Sequence, residues 1–252
     1  MATPTCVTDS EPEWALETSG LTRTYGSHVV VKNLDLRVAR GDIYGFLGPN
    51  GAGKTTTMRM ILGLIAKDAG EVRIFGDKDP VAGRRQLGGI VEGPRFYPYL
   101  SGIENLRIFA AYTGGASEER LGDLLKLVRL GDRAEDLVRT YSLGMKQRLG
   151  IAQALLNSPG LLLLDEPSNG LDPKGIKEVR ELILRLRDQE GLTVFVSSHV
   201  LSELDKLCTR IGILQNGQKI AEGTTEELVE DGEDLEAAFL RLTATAEPEQ
   251  IR

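Results

Sequence analysis

The chain has 252 residues, with 30 Lys and Arg against 37 Asp and Glu, and a formal net charge of −7. That length can bury a sizeable core in one large or two small domains, and the acidic balance disfavours a protein that binds nucleic-acid backbones. The cysteines, Cys6 and Cys208, show no spacing pattern, which argues against a disulfide or zinc framework and indicates a reducing compartment.

The two ends of the chain are polar, and both are predicted to be disordered. Residues 1–12 and 244–252 are rich in Pro, Thr and Glu, and the first segment lacks the basic and apolar regions of a signal peptide. The apolar runs between them are strand-sized, far below the ~20 residues of a membrane span. We therefore expect residues 13–243 to form the folded part, without a transmembrane segment.

The folded part begins with a predicted antiparallel sheet and continues as an α/β pattern. Residues 14–38 show no helical segment and alternate apolar and polar side chains in LDLRV, residues 34–38, which predicts antiparallel strands. The apolar runs DIYGFLG, GLLLLDE and LTVFVSS then each precede a helical pattern. Strand followed by helix, repeated, predicts a parallel sheet flanked by helices and an α/β fold class.

The strongest chemical signal is the sequence GPNGAGKT, residues 48–55, between a predicted strand and a predicted helix. Glycines let successive backbone N–H groups point at phosphate oxygens. Lys54 can then reach the terminal phosphates, and the Thr55 hydroxyl can ligate Mg²⁺. A chance match in a glycine-rich turn is disfavoured by the strand and the helix on either side, so the sequence predicts a nucleotide-binding phosphate loop.

A helical subdomain is predicted over residues 93–157, inserted into the sheet. Ser101 and Glu104 have the spacing of a capping box at a helix start. A later helix carries an apolar stripe formed by Leu121, Leu124, Leu125 and Val128.

The sequence YSLGMKQR, near the end of this helical subdomain, contains a second candidate anion site. It places Ser142 where a helix N-cap belongs. Free N–H groups at a helix start bind anions. The residues alone leave open which anion this would be.

The run LLLLDEP, residues 161–167, predicts a central strand buried on both faces and ending in carboxylates. Open parallel sheets bind ligands at this end of their strands. We expect Asp165 to hold Mg²⁺ through water and Glu166 to polarise an attacking water, which predicts a hydrolase. The alternative is an ordinary acidic turn before Pro167. The chain lacks an Asn/Thr-Lys-x-Asp guanine motif, which disfavours a GTPase.

Further on, an Asn-Gly pair at residues 216–217 predicts a β-hairpin.

Together, GPNGAGKTT, YSLGMKQR, LLLLDEP, NGLDP and VFVSSH resemble the ATP-binding subunits of ABC transporters in order and approximate spacing. The resemblance covers residues 14–243. It implies a P-loop NTPase sheet core with an antiparallel β subdomain and an inserted helical subdomain, and ATP and Mg²⁺ as cofactors. It also implies that the phosphate loop binds ATP through Gly48, Asn50, Gly51, Ala52, Gly53, Lys54, Thr55 and Thr56.

The resemblance implies a role for Ser142 and Gly144 in the family's signature motif, usually Leu-Ser-Gly-Gly-Gln. This motif binds the γ-phosphate of ATP held by the phosphate loop of a second subunit, so the anion at Ser142 is expected to be that phosphate. The sequence departs from the motif at Tyr141, Leu143 and Met145. Ser142 and the helix dipole are retained, but the departures put the strength of the contact in question.

Further roles follow from the same resemblance. His199 matches the switch histidine that contacts the γ-phosphate, with a surface or core histidine as the alternative. Tyr25 matches the aromatic residue that stacks on adenine, with simple packing as the alternative. Asp172 matches the aspartate of the D-loop, a role compatible with N-capping the helix that starts at Pro173. The catalytic set is thus Glu166, His199 and Lys54.

Glu92 stands where the family normally has a glutamine that touches Mg²⁺ and the attacking water, in a loop that meets the membrane subunit. A carboxylate is an equally good oxygen ligand, so Thr55, Asp165 and Glu92 form the expected metal set. The alternative is that Glu92 faces solvent in a Gly-Pro turn. Together with YSLGMKQRLGIA, this glutamate resembles the exporters that protect bacteria from bacitracin and lantibiotic peptides.

The resemblance predicts an ATPase that dimerises with a second copy of itself or a paralogous subunit and powers a separate membrane permease. We expect an exporter of peptide antibiotics or drugs, peripheral on the cytoplasmic face of the cell membrane, and no nucleic-acid partner. A non-transport relative for iron–sulfur assembly or DNA maintenance is the alternative. A module that holds ATP without turnover would be expected to lose Glu166, which is present.

Overall fold

The computed structural model describes residues 14–77, 80–230, 233 and 235–244. The strands in chain order are β1 (Trp14–Tyr25), β2 (His28–Ala39), β3 (Ile43–Leu47), β4 (Ala69–Ile74), β5 (Leu87–Ile90), β6 (Leu161–Asp165), β7 (Thr193–Ser198), β8 (Arg210–Gln215) and β9 (Gln218–Gly223). The helices are α1 (Lys54–Ile61), α2 (Pro80–Arg84), α3 (Gly102–Tyr112), α4 (Glu118–Leu127), α5 (Leu143–Ala154), α6 (Pro173–Glu190), α7 (Leu201–Asp205), α8 (Thr225–Leu228) and α9 (Leu235–Ala244).

The predicted tails fall almost entirely outside the described residues, and so does Cys6. Ala244, the first residue of the predicted C-terminal tail, is the last residue of α9. Among the helices described, none has both the length and the apolar character needed to cross a bilayer.

The larger sheet has the order β5-β6-β7-β3-β8-β9. Its neighbouring strands pair in parallel from β5 to β8, and β9 pairs antiparallel with β8. Every residue of β3, β6 and β7 is buried, because helices or the second sheet cover both faces. The predicted parallel sheet and the predicted hairpin at Asn216 and Gly217, which both have positive φ, are confirmed.

The smaller sheet has the order β2-β1-β4 and is antiparallel, as residues 14–38 predict. The strand β4, which the sequence pattern does not predict, pairs with β1 from Leu16↔Ile74 to Thr22↔Ala69. This sheet and α1 cover one face of the larger sheet, where Phe46, Leu163 and Phe195 are buried.

The helices α3 to α6 cover the opposite face. Successive residues of β6 alternate between the two cores: Leu163 packs towards the small sheet, whereas Leu162 and Leu164 pack towards the helices. The predicted capping box at Ser101 and Glu104 is present at the start of α3. The predicted apolar stripe of α4 is buried in the helix-side core.

The parallel strands bring their carboxyl ends to one edge of the larger sheet. In the strand register, Asp165 of β6 lies opposite Ser197, and Leu47 of β3 lies opposite Ser198. The segments that follow these strands therefore meet at this edge, where open α/β sheets bind ligands.

Candidate functional site

The phosphate loop links the end of β3 to the start of α1. Gly51 and Gly53 have φ of 82° and 104°, values that favour glycine. A Cβ at Gly48 would lie 2.5 Å from the Leu214 carbonyl oxygen, and one at Gly53 would lie 2.7 Å from the Val30 carbonyl oxygen. No side chain caps the start of α1. The loop therefore presents backbone N–H groups and a helix N-terminus, a combination that binds phosphate.

The Lys54 ammonium lies over this loop. Its Nζ donates hydrogen bonds to the carbonyl oxygens of Gly48 and Pro49, at 2.6 and 3.2 Å, and lies 3.2 Å from Glu166 Oε1. Lys54 is buried, so its charge is held in place by these three oxygens. The arrangement places a cation where the sequence predicts the terminal phosphates.

Asp165 is held by two hydroxyl groups. Thr55 Oγ1 donates to Asp165 Oδ2 at 2.8 Å, and Ser197 Oγ donates to Asp165 Oδ1 at 2.6 Å. The same Ser197 oxygen accepts a hydrogen bond from the Glu166 amide at 3.0 Å. Ser197 therefore positions both carboxylate residues. Ser197 is a site residue missed in the sequence, where its only signal is a polar side chain within the apolar strand β7.

Glu166 connects the phosphate loop to the residue after β7. Its Oε2 lies 2.8 Å from His199 Nδ1, and its Oε1 faces Lys54. The backbone of Glu166 has a φ of 49°, an uncommon conformation for a non-glycine residue that is often found at functional sites. The predicted catalytic residues Lys54, Glu166 and His199 thus form one connected group.

Glu92 lies in the segment after β5 and shares a cavity with the two carboxylates. The cavity has a volume of about 500 Å³, and Glu92, Gln147, Asp165 and Glu166 are among its lining residues. Glu92 also has a left-handed backbone, with φ of 62°, and its exposed carboxylate forms an ion pair with Arg59. The Glu92 carboxylate thus contacts Arg59 in this structure while the residue borders the predicted metal site, so its role as a metal ligand stays a prediction.

Ser142 and Asp172 lie at helix starts, as predicted. Ser142 Oγ accepts from the Met145 amide at 3.2 Å, and Asp172 Oδ1 accepts from the Gly175 amide at 2.8 Å. Both line a second cavity of about 460 Å³ together with Gly144, and Leu143 lines this cavity as well as the one beside Glu92. The lining residues of the second cavity come from α5, α6 and the segment before α6, and none belongs to the phosphate loop.

Tyr25 ends β1 and is exposed. The Arg23 guanidinium lies 4.6 Å from the centre of its ring, an arrangement that allows a cation–π contact. The accessible ring agrees with a stacking role but does not test it, so adenine stacking stays a prediction.

The Thr55 hydroxyl oxygen and the Asp165 carboxylate oxygens are suitable ligands for a magnesium ion. Mg²⁺ prefers oxygen ligands and usually binds through one or two protein groups plus phosphates and water. Within the described part of the chain, no group of three or more His, Cys, Asp or Glu side chains could hold a metal. Thr55 and Asp165 supply the one or two protein oxygen ligands that such a site needs.

The chain matches the sequence model described as ABC transporter over residues 31–169. It is 49% identical over 210 residues to the bacitracin transport ATP-binding protein BcrA of Bacillus licheniformis, covering 82% of this chain and 69% of the relative. It is also 40% identical over 224 residues to the lantibiotic transport ATP-binding protein SrtF of Streptococcus pyogenes, covering 89% of this chain and 95% of the relative.

Solved structures of ATP-binding subunits and cassettes resemble this chain in fold. An ATP-binding subunit of an ABC transporter superposes with a TM-score of 0.79 at 33% identity, covering 91% of this chain and 99% of that subunit. A dimeric ATP-binding cassette in a post-hydrolysis state, with bound ADP and Pi, superposes with a TM-score of 0.74 at 28% identity, covering 83% of this chain and 98% of that cassette.

Proposed function

Since the chain belongs to the ABC transporter family and is an ATP-hydrolysing member of it, we propose that it dimerises and powers a separate membrane permease. The proposed cargo is a peptide antibiotic or a drug, carried outwards. The relatives named for bacitracin and lantibiotic transport support this cargo class. Glu92 at the position of the usual glutamine supports the same assignment.

The observation that carries the hydrolytic mechanism is the placement of Glu166 between Lys54 and His199. The phosphate-loop amides and Lys54 bind the phosphates, and Glu166 accepts a proton from the attacking water. His199 holds the Glu166 carboxylate from the other side. Bound Mg²⁺, held by Thr55, Asp165 and Glu92, would neutralise phosphate charge.

The helix start at Ser142 supports a shared active site. Ser142 caps the start of α5 and, with Gly144 and Asp172, lines a cavity at that helix start, so this N-terminus is proposed to bind the phosphate of a nucleotide held by another subunit. A second copy of the chain would use the same surfaces in return, as twofold symmetry requires. A paralogous subunit is the other candidate partner.

The segment after Glu92 supports the proposal of a permease partner. Tyr97 and Tyr99 are exposed large apolar side chains in this segment, and exposed apolar groups mark interaction sites when they lie together. Their ring centres are 6.0 Å apart. We propose that this pair contacts the permease and holds the chain at the cytoplasmic face of the membrane.

An affinity-tagged chain should therefore elute from detergent-solubilised membranes with a polypeptide that has several membrane-spanning helices. Replacing both Tyr97 and Tyr99 by Ser should remove this protein from the eluate. Leu240→Ser on α9 is the matched control, because Leu240 is also exposed and apolar. Elution with iron–sulfur assembly or DNA-maintenance proteins instead would favour a non-transport ATPase.

A further inference from the structure

Arg59 joins the helix of the phosphate loop to the segment that contains Glu92. It lies in the last turn of α1, the helix that begins with Lys54. Its Nη2 forms an ion pair with Glu92 Oε1. The pair therefore bridges the far end of the phosphate-loop helix and the start of the helical subdomain.

This ion pair is weak enough to be exchanged for another contact. The Arg59 and Glu92 side chains are 31% and 61% exposed. Exposed pairs of this kind contribute little, because water screens the charges and the side chains lose freedom. A stronger attraction, such as that of a divalent cation, can therefore displace Arg59 from the carboxylate.

Glu92 also lines the cavity that contains Asp165 and Glu166, and this cavity holds an amide side chain. Gln147 lines the same cavity as Glu92 and is 8% exposed. Its carboxamide can donate a hydrogen bond to a group that enters this cavity. A carboxylate oxygen can accept from this amide.

We infer that Arg59 is a positioning residue that binds the Glu92 carboxylate and keeps it from the metal site until a magnesium–nucleotide complex is present. The inference rests on the proposed role of Glu92 as a metal ligand. Arg59 then competes with the metal for one carboxylate. Loss of Arg59 should favour binding of the metal complex by about 2- to 5-fold, the range expected for an exposed ion pair.

The magnesium dependence of nucleotide affinity tests this competition. We would measure binding of the nonhydrolysable analogue AMP-PNP by calorimetry, with MgCl₂ and with EDTA. Arg59→Gln should raise the ratio of the two affinities about 2- to 5-fold. A general loss of positive charge would change both affinities alike and leave the ratio constant. Arg73→Gln on β4 is the matched control, because Arg73 also forms an exposed ion pair, 3.0 Å from Glu71.

Repeating the comparison in a Glu92→Ala background identifies the carboxylate as the competing group. Arg59→Gln should then leave the ratio unchanged, since no carboxylate remains to be released. The inference would be overturned if Arg59→Gln left the affinity ratio constant in the natural background, or raised it equally in the natural and Glu92→Ala backgrounds. Failure of the unaltered chain to bind AMP-PNP would instead overturn the proposed function. Thermal unfolding of each variant establishes that it is folded.

Discussion

Replacing Glu166 by Gln should lower the rate of ATP hydrolysis by about 10²- to 10⁴-fold, the usual contribution of a general base. Glutamine has nearly the same shape: its carbonyl oxygen can accept from Lys54 and its NH₂ group can donate to a neutral His199 Nδ1, but the amide cannot take a proton from water. Binding should be retained, because it depends on the phosphate-loop amides and Lys54. Steady-state phosphate release and calorimetry measure the two effects separately.

Glu181→Gln is the control for this prediction. Glu181 lies on α6 and forms an exposed ion pair with Arg129, at 3.2 Å. Its replacement makes the same chemical change away from the site, so hydrolysis should remain close to normal. A near-normal rate in Glu166→Gln would contradict the assignment of Glu166 as the base.

Replacing Lys54 by Ala should weaken ATP binding by about 10- to 100-fold, the loss expected for charged hydrogen bonds. The change removes the cation above the phosphate loop. It also leaves the Glu166 carboxylate without its partner at 3.2 Å, so that the triphosphate meets an uncompensated negative charge.

Calorimetric titration with ATP measures this loss. Lys126→Ala is the control, because Lys126 is an exposed lysine on α4 whose ion pair is with Asp123, away from the loop. Unchanged ATP affinity in Lys54→Ala would contradict the phosphate-loop assignment.

The sequence alone predicts the buried strands and the helix starts well. The apolar runs of β3, β6 and β7 are too hydrophobic for any exposed face, and the structure buries them completely. The residues Ser101, Ser142 and Asp172 accept hydrogen bonds from backbone amides three residues later, as local capping patterns predict. Both kinds of signal depend on neighbours in the chain, so they can be read without tertiary structure.

Contacts between distant segments could not be predicted in this way. The strand β4, with sequence AGEVRI, is short and charged, and it becomes a strand because it pairs with β1. Ser197 reaches Asp165 because β6 and β7 are neighbours in register. The Arg59–Glu92 ion pair depends on where α1 ends relative to the segment after β5. These features require the strand order and the packing, which periodicity does not specify.

The central proposal is that a nucleotide in one phosphate loop is enclosed by Ser142 of a second subunit. The molar mass of Glu166→Gln, measured by size-exclusion chromatography with light scattering, tests it directly. With ATP and magnesium, the mass should rise from the 27.5 kDa of one chain to twice that value.

The added substitution Ser142→Arg should keep the protein monomeric without lowering ATP affinity, since loss of an N-cap costs only ~1 kcal/mol of stability. A Glu166→Gln protein that binds ATP and stays monomeric, or a Ser142→Arg variant that dimerises normally, would contradict the shared site.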